Sequence, residues 1–315
     1  MAWPAVRLCM GASMPLLGLG TWRAKQNECY QAVKTALQMG YRHIDTAEYY
    51  QNEKEIGQAL LEQFTSGLKR EEAFVTSKLW NTRHHPDDVL PACQRSLTDL
   101  GLDYLDLYLM HFPVAYARGD NFLPYDDKGQ ALTMDIHFMD TWKSMEQLVD
   151  AGLVKAIGVS SFNISQMEEV LTNGRIKPAV NQVESHPYLG CHRLLEYCTA
   201  KGVVLTAFCP LARPGSKEAE QYGVASLLQD PVIVEISKKH GKTPAQVCLK
   251  WQVQRNVAVI PMGTTPAMIQ ENSQLFDFEL SEAEMSSINM LDKNGRMVWF
   301  QPSETHPLWP FNEEF

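Results

Sequence analysis

Short apolar runs that stop at a polar or titratable side chain recur along this chain, and they constrain its fold more than any other feature. Five such runs stop, in chain order, at Asp45, Lys78, His111, Ser160 and Asn181-Gln182. Runs of this length are typical of buried strands. If they are the strands of one closed parallel barrel, their C-terminal ends lie on one face, which is where barrel enzymes carry out catalysis. The pattern therefore predicts a shared mouth with acid–base side chains and indicates an enzyme.

Strand-like runs alternate with helix-like segments over most of the chain. We predict strands at 17–19, 41–44, 73–77, 105–110, 154–159, 179–183, 203–207 and 257–260. We predict helices at 28–38, 53–64, 86–100, 138–150, 165–171, 191–200, 232–240 and 244–255. Alternation of this kind is typical of a parallel sheet with crossover helices. Eight units without a linker predict one α/β domain over residues 1–315, a single (β/α)8 TIM barrel.

Three segments fall outside this repeat. Residues 1–14 precede the first strand, and we expect them to form an N-terminal hairpin that plugs the bottom of the barrel. Residues 112–139 contain no predicted element apart from the first two residues of the helix at 138–150, and loops of that length are usually lids or binding loops. Residues 292–315 form a long C-terminal loop rich in aromatic residues and proline. We expect 112–139 and 292–315 to build the walls of a substrate pocket.

Composition narrows the class of protein. With 45% hydrophobic and 21% charged residues the chain is of globular type. The formal net charge of −9 argues against a nucleic-acid partner, because neutralising phosphates requires clustered Lys and Arg. No apolar run approaches the ~18 residues of a membrane span and no signal peptide is evident, so we expect no membrane partner and a cytoplasmic location.

Cysteine usage and surface pattern add two expectations. The chain has seven cysteines, an odd number, and no two of them have CxxC spacing. This predicts free thiols in a reducing compartment and no metal site. We expect a monomer, because no exposed apolar stripe is evident in the sequence.

Two motifs imitate a different class of oxidoreductase. Tyr50 and Lys54 form a YxxxK pair, and Gly11 and Gly18 lie upstream, as in a short-chain dehydrogenase. The spacing fails, because a Rossmann fingerprint needs closely spaced glycines between a first strand and a helix. The segment Gly18-Leu19-Gly20 is better interpreted as a tight turn beside a ligand.

Longer motifs point to one family. Residues 40–57, GYRHIDTAEYYQNEKEIG, closely resemble the first signature of the aldo-keto reductases. Further motifs of that family follow in its order, namely GLGTW at 18–22, SKLW at 77–80, LDLYLMH at 105–111, GVSSFN at 158–163, NQVESHPY at 181–188 and HPLWPF at 306–311. The resemblance covers nearly the whole chain. It implies a (β/α)8 barrel, in agreement with the strand count, and reduction of small-molecule aldehydes and ketones with a nicotinamide cofactor.

The resemblance also implies a catalytic tetrad of Asp45, Tyr50, Lys78 and His111. Hydride addition leaves negative charge on the carbonyl oxygen, so a proton must reach it, and Tyr50 would supply that proton. We expect Lys78 to lower the pKa of Tyr50 and Asp45 to keep Lys78 charged and oriented. His111 would donate a hydrogen bond to the substrate oxygen.

The cofactor groove is likewise implied by the resemblance. Ser160 and Gln182 would hold the nicotinamide carboxamide, and Ser161 stands where the family usually has Asn. Phe208 replaces the usual stacking tyrosine. The whole predicted set is Thr21, Trp22, Ser160, Ser161, Gln182, Phe208, Cys209, Leu211, Met262, Gly263, Thr264, Met268, Glu271 and Asn272.

The largest departure from the family lies in the segment 260–272. The family has a Lys and an Arg that hold the 2′-phosphate of NADPH, whereas this chain has Met262 and Met268 at those positions. Each lost charge-assisted hydrogen bond is worth about 1.5–3 kcal/mol. NADP(H) is the cofactor that the family implies, but we expect a weakened preference for it, which leaves use of NAD(H), or of both, open.

Aromatic residues predict the substrate pocket. Its candidate residues are Trp22, Tyr49, Trp80, His111, Phe112 and Trp299, with Phe300 equally well explained by core packing. Aromatic walls favour apolar carbonyl substrates. Arg213 and Lys217 could bind an anionic group, although a solvated loop explains them better. A non-catalytic or vestigial cofactor-binding protein on the same barrel, regulatory or structural, is the alternative function, because fold alone does not decide activity.

Overall fold

A sheet of eight parallel strands, each paired with its neighbour in the chain, forms the centre of the molecule in the computed structural model, which describes residues 3–25 and 27–313. Its strands are β3 (Leu19–Gly20), β4 (His43–Asp45), β5 (Phe74–Leu79), β6 (Leu107–Met110), β7 (Ile157–Ser160), β8 (Val180–Glu184), β9 (Val204–Phe208) and β10 (Ala258–Val259). They are buried along almost their entire length, as a sheet covered on both faces requires.

Hydrogen bonds between the first and last strands close the sheet into a barrel. Parallel bridges join Leu17 to Val259 and Gly20 to Met262. The amide of Gly18 donates to the carbonyl of Val259 at 2.8 Å. The amide of Val259 donates in turn to the carbonyl of Leu16, also at 2.8 Å. The predicted (β/α)8 barrel is therefore confirmed, although β3 and β10 are shorter than the sequence suggested.

The two glycines of this seam have a different role from the predicted one. A Cβ atom on Gly18 would lie 2.8 Å from the ring of His43, and one on Gly20 would lie 2.5 Å from the carbonyl oxygen of Ile260. Gly20 lies in β3, the first strand of the barrel, and Gly18 directly precedes that strand. The expectation of a tight turn is wrong, because close contact between barrel strands is what requires the glycines. Their position beside a ligand stays a prediction.

Helices follow the strands and cover the outside of the barrel. Their bounds are α1 (Glu28–Gln38), α2 (Glu53–Thr65), α3 (Pro86–Leu100), α4 (Phe138–Asp150), α5 (Ile164–Asn173), α6 (His192–Lys201), α7 (Lys217–Gln221), α8 (Pro231–His240), α9 (Pro244–Gln254), α10 (Pro266–Ser273) and α11 (Glu282–Asn289). The eight predicted helices are present with ends shifted by a few residues at most. The short helices α7, α10 and α11 were not predicted.

An N-terminal hairpin covers the end of the barrel opposite the strand C-termini. Strands β1 (Ala5–Arg7) and β2 (Ser13–Pro15) pair antiparallel. Met14 is completely buried, and the carbonyl of Pro15 lies 3.2 Å from Nδ1 of His43, the first residue of β4. The predicted hairpin is thus present at the barrel bottom. Residues 1, 2, 314 and 315, which the predicted hairpin and C-terminal loop include, lie outside the described residues.

Two loops rise over the opposite end of the barrel. Residues 112–137, which we call the substrate loop, contain no helix and reach α4 at Phe138. Residues 290–313 contain only two short 3-10 turns, Gln301–Ser303 and Pro310–Asn312. The two loops touch, since the amide of Ala131 donates to the carbonyl of Pro302 at 2.7 Å. No helix in the described part of the chain combines the length and apolar character needed to cross a lipid bilayer.

Candidate active site

The C-terminal ends of the strands bring the predicted polar side chains to one face. Asp45 is the last residue of β4, Lys78 lies near the end of β5, and His111 directly follows β6. Ser160 ends β7, and Gln182 lies in β8. Tyr50 comes from the 3-10 turn Glu48–Tyr50 just after β4, which we call the catalytic turn. The order of the strands therefore carries these residues around one mouth.

Lys78 is the centre of the polar site. Its ammonium Nζ lies 2.5 Å from Oδ1 of Asp45, 2.8 Å from the carbonyl oxygen of Thr46 and 3.4 Å from the hydroxyl of Tyr50. The Lys78 side chain has no exposed surface and that of Asp45 is 2% exposed. A buried ammonium is stable only with such partners, so the geometry holds a positive charge against the phenol.

A second layer of hydrogen bonds fixes the segment between Asp45 and Tyr50. The hydroxyl of Thr21 donates to the carbonyl of Asp45 at 2.9 Å, and Nδ2 of Asn52 donates to the carbonyl of Thr21 at 2.9 Å. The hydroxyl of Thr46 donates to Oδ1 of Asn52 at 3.0 Å. Sequence reasoning missed Thr46 and Asn52. Both residues lie in the quoted family signature. The atom of Thr46 that contacts Lys78 is a backbone oxygen, so the residue type at position 46 gives no signal for that contact.

Gln182 joins the predicted cofactor residues to the predicted tetrad. Its Nε2 donates to Oδ2 of Asp45 at 2.8 Å, so the carboxylate of Asp45 accepts from both Lys78 and Gln182. Two charge-assisted hydrogen bonds on separate oxygens fix the orientation of this carboxylate.

Burial controls the protonation states of the site. It raises the pKa of Tyr50 well above the ordinary value, with the carboxylate of Asp45 acting in the same direction. Burial lowers the pKa of Lys78 while Asp45 raises it, with the net direction downward. The net direction is upward because burial disfavours the phenolate, and our expectation that Lys78 acts in the opposite direction stays a prediction. Tyr50 therefore holds its proton at neutral pH.

His111 lies beside the phenol as a neutral ring. The ring centroids of Tyr50 and His111 are 5.6 Å apart, and the rings meet edge to face. Burial, followed by the charge of Lys78, lowers the pKa of His111 well below its usual range. A neutral imidazole carries one N–H, so it can act as a hydrogen-bond donor without an extra charge.

The predicted cofactor residues lie along one edge of the mouth, from β7 to α10. Ser160 and Ser161 are 2% exposed at the end of β7. Phe208 and Cys209 are half-buried at the end of β9, and Leu211 follows them. Gly263 and Thr264 precede α10, which carries Met268, Glu271 and Asn272. The hydroxyl of Thr21 donates to the backbone carbonyl of Asp45. Burial raises the pKa of the Cys209 thiol, so this thiol stays protonated.

The donors along this edge suit a nicotinamide dinucleotide. The hydroxyls of Ser160 and Ser161 and the amide of Gln182 lie next to the tetrad, and Phe208 offers an aromatic face. At the far end, Met262 and Met268 are each 43% exposed. The Glu271 carboxylate accepts from the hydroxyl of Thr243 at 2.7 Å. This edge thus has hydroxyl and amide groups at one end and two exposed, uncharged methionines at the other.

Two arginines enclose Trp22 at the rim of this groove. The guanidinium of Arg23 lies 4.6 Å from the centre of the Trp22 ring, and that of Arg213 lies 4.9 Å from it. Both arginines pair with Glu218 of α7, at 3.1 and 3.2 Å. The charge of Arg213 is therefore already paired within the protein. Lys217, at the start of α7, is exposed.

Aromatic side chains form the other wall of the mouth. Tyr49 stacks on Trp80 with ring centroids 3.9 Å apart, and Trp80 meets His111 edge to face at 5.0 Å. Phe112 has no exposed surface and stacks on Phe300 at 4.1 Å, so its ring supports this loop region instead of facing solvent.

The far side of the aromatic wall comes from the two loops. Trp299 is half-buried and stacks on Trp309 at 6.1 Å. Sequence reasoning missed Phe122 of the substrate loop, whose carbonyl accepts from Nε1 of Trp80 at 2.7 Å. No sequence signal singles out Phe122, because the same loop also contains Phe112, Tyr116 and Tyr125.

Comparison with known proteins agrees with this fold. Residues 8–293 match the sequence profile described as the aldo/keto reductase family. The match spans most of the chain, and the chain belongs to that family.

Individual relatives match over their whole length. The chain is 46% identical over 323 residues to "Aldo-keto reductase family 1 member A1-A" of Danio rerio, covering 98% of this chain and 99% of that protein. It is 46% identical over 328 residues to "Aldo-keto reductase family 1 member A1" of Homo sapiens, covering all of both chains. The structure of the aldose reductase from Schistosoma japonicum is similar with a TM-score of 0.93 at 43% identity, over 99% of this chain and 100% of that one. The chain is accordingly an NAD(P)H-dependent oxidoreductase that reduces aldehydes and ketones to alcohols, and nothing favours the non-catalytic alternative.

Proposed function

We propose that Tyr50 is the proton donor of this reductase and that Asp45, Lys78 and His111 complete its catalytic tetrad. The observation that carries the proposal is the set of contacts made by Lys78, which lies 2.5 Å from the Asp45 carboxylate and 3.4 Å from the Tyr50 hydroxyl. The nicotinamide cofactor, when bound, supplies the hydride. The protein then has to deliver one proton to the carbonyl oxygen, and the buried phenol of Tyr50 retains that proton until the oxygen becomes basic.

Each remaining member of the tetrad stabilises charge that develops during the reaction. When Tyr50 gives up its proton, the ammonium of Lys78 stabilises the phenolate, and Asp45 keeps Lys78 charged in a buried site. His111 donates its N–H to the substrate oxygen and orients it against the phenol. A neutral His111 can do so because its pKa lies well below the usual range. In the oxidative direction Tyr50 acts as the base.

Replacing Tyr50 with Phe tests the proton donor. We expect kcat for reduction of an aromatic aldehyde to fall by about 10²–10⁴-fold, because the general acid is lost. NADPH binding, followed by quenching of tryptophan fluorescence, should change little. The matched control is Tyr49→Phe at the neighbouring position, which keeps the ring that stacks on Trp80 and should retain most of the activity. Equal rates for wild type and Tyr50→Phe would remove the assignment and reopen the non-catalytic alternative.

We also propose that the cofactor is bound along the edge from Ser160 to Asn272. Ser160, Ser161 and Gln182 would hold the carboxamide, and Phe208 would stack on the nicotinamide ring. Thr21, Trp22, Cys209 and Leu211 would line the middle of the groove, with Gly263, Thr264, Glu271 and Asn272 at the adenosine end. Ser161 has a left-handed backbone with a φ of 59° and its amide donates to the carbonyl of Gln182 at 2.9 Å, which supports a fixed geometry at the carboxamide end.

The preference for NADPH over NADH is proposed to be weak. NADP(H) is the general cofactor of the family, but the exposed side chains of Met262 and Met268 offer no cation to a 2′-phosphate. We propose that this chain uses NADH as well as NADPH. The hydroxyls of Thr264 and Thr265 are neutral donors, which bind phosphate more weakly than Lys or Arg.

A charge introduced at position 268 tests this preference. We expect Met268→Arg to tighten NADPH binding by about ten- to hundredfold through one charge-assisted contact, with little effect on NADH. The control is Met290→Arg, which adds the same charge at a site that is 82% exposed and belongs to no groove. The proposal is wrong if the native chain already prefers NADPH by about a hundredfold and the new arginine adds nothing.

The substrate is proposed to be an apolar, aromatic or long-chain aldehyde or ketone. Trp22, Tyr49, Trp80 and Trp299 supply the aromatic surface around His111, while Phe112 supports it from below. Such pockets bind mainly by burial of apolar area with few polar anchors. We further propose a single-domain monomer that acts in the cytoplasm.

A further inference from the structure

Two rows of contacts run side by side from the catalytic turn to the substrate loop. The first row is aromatic. Tyr49 stacks on Trp80 with an interplanar angle of 10°, and Phe122 of the loop meets Tyr49 edge to face at 6.0 Å. The hydrogen bond from Nε1 of Trp80 to the Phe122 carbonyl joins the loop backbone to β5 and its extension. This row forms part of the proposed substrate wall.

The second row is ionic and follows the first almost residue by residue. Nε of Arg83 lies 3.3 Å from Oε1 of Glu48, the residue before Tyr49. The other end of the same guanidinium lies 2.9 Å from Oδ1 of Asp120, two residues before Phe122. Arg95 of α3 stands near both acids, 3.6 Å from Glu48 and 3.9 Å from Asp120.

Burial differs sharply along the ionic row. The side chain of Glu48 is 5% exposed and that of Arg83 is 11% exposed, whereas that of Asp120 is 91% exposed. The pair between Glu48 and Arg83 is thus an internal pair, since both side chains are largely removed from water. Asp120 approaches the same guanidinium from solvent, where salt screens the attraction. The loop is therefore attached to the catalytic turn by a contact that can open.

Another ion pair holds the loop near this point. Arg118 makes two parallel hydrogen bonds to the carboxylate of Asp88 in α3, both at 2.6 Å. Arg118 and Asp120 together direct the loop segment towards α3 and the turn Asn81–Arg83. These ion pairs therefore support the position of Phe122 over Tyr49, together with the hydrogen bond from Trp80.

We propose that Glu48 and Arg83 are positioning residues which, through Asp120, hold the substrate loop closed against the catalytic turn and so favour bulky aromatic carbonyl substrates over small ones. A bulky ring needs the wall formed by Tyr49, Trp80 and Phe122, whereas a small aldehyde needs only the tetrad. The inference rests on the proposed function, because it assigns selectivity to the mouth in which Tyr50 acts.

Asp120→Asn tests the inference without disturbing a buried group. The quantity to measure is the ratio of kcat/KM for naphthaldehyde to kcat/KM for propanal. We expect this ratio to fall by about two- to fivefold, since an exposed ion pair contributes little more than that. The loss should appear mainly as a higher KM for naphthaldehyde. Asp120→Glu should restore the ratio, because it returns the charge that Arg83 pairs with.

Salt and a second loop acid supply the controls. Raising NaCl to about 1 M should lower the wild-type ratio towards that of Asp120→Asn, because the screening length falls to about 3 Å. The ratio of Asp120→Asn should respond less than that of the wild type, because the pair with Arg83 is already absent. Asp127→Asn removes the same charge from the same loop, at a side chain for which the described residues show no ion pair, and should keep the wild-type ratio.

Two outcomes would overturn the inference. One is an unchanged ratio in Asp120→Asn, and the other is an equal fall in Asp127→Asn, which would reveal only a general effect of loop charge. Absence of turnover with both aldehydes in the wild type would contradict the proposed function itself and is distinguishable from either result.

Discussion

Lys78 illustrates how one residue acquires its function from its partners. Its side chain has no exposed surface, and the Asp45 carboxylate, the Thr46 carbonyl and the Tyr50 hydroxyl surround its ammonium. The polar residue at the end of an apolar run was visible in the sequence, and so was its partner Asp45. The balance between desolvation and attraction was not, because it depends on how many groups the fold brings within a few ångströms.

Glu53 is a second buried acid close to the site, at the start of α2. Its carboxylate accepts from the hydroxyls of Ser77 at 2.6 Å and of Ser96 at 3.1 Å, and the residue is 4% exposed. Burial raises the pKa of Glu53 from 4.5 to about 7. The folded state therefore keeps this proton in a range of pH where the unfolded chain has released it.

We predict that Glu53→Gln removes a pH dependence of stability. Because the pKa of Glu53 is raised in the folded state, its protonated carboxyl contributes to the free energy of unfolding. This contribution is fully present below pH 4.5 and is lost as the pH rises through about 7. The loss is on the order of 3 kcal/mol in the free energy of unfolding. The difference between variant and wild type, measured by urea unfolding at the two ends of this range, should shift by that amount in favour of the variant at the higher pH. The exposed Glu282→Gln serves as the control, and a constant difference would contradict the prediction.

Helices α2 and α3 show how packing between elements can overrule the preference of a residue for a helix. Gly57 lies inside α2, where Ala would ordinarily be more stable by about 1 kcal/mol. A Cβ atom at this position would lie 2.7 Å from the carbonyl oxygens of both Asp99 and Leu100, near the end of α3. Backbone oxygens cannot rotate away from such a contact.

We therefore predict that Gly57→Ala destabilises the protein despite the better helix propensity. Overpacking against backbone typically costs about 1–3 kcal/mol, and the gain in propensity offsets about 1 kcal/mol of this, so the net loss should be up to about 2 kcal/mol. Urea unfolding measures it directly. The neighbouring Gln58 is exposed, and Gln58→Ala should change stability by less than about 0.5 kcal/mol. A stabilised Gly57→Ala variant would show that α2 and α3 separate easily.

At the scale of elements, the sequence predicted helices well where their ends carry clear signals. Gly101, Gly202 and Gly241 end α3, α6 and α8 in the left-handed conformation that glycine adopts without strain. The unpredicted α10 and α11 also carried signals. Thr265 caps α10 ahead of a proline, and Ser281 forms a capping box with Glu284 at the start of α11. The apolar residues of α10 and α11 are too few to show a helical period in the sequence, because each helix covers only a small part of the barrel.

For the whole molecule, closure of the barrel is the event that creates the site. The seam between β3 and β10 brings the first and last parts of the sheet together, and Gly18 and Gly20 permit the approach. The hairpin covers one end, and the substrate loop and C-terminal loop cover the other. Chemistry is thereby confined to one face, and the opposite end contributes stability.

The sequence by itself determined the α/β barrel, the family and the residues around the mouth, because strand period, helix ends and strand-end polar residues are local patterns. Only the tertiary structure decided three other matters. It set the protonation of Tyr50 through burial, it gave Gly18 and Gly20 a packing role at the seam, and it joined Glu48, Arg83 and Asp120 into one row. Each of these depends on distances between residues far apart in the chain, and such distances exist only once the barrel has closed.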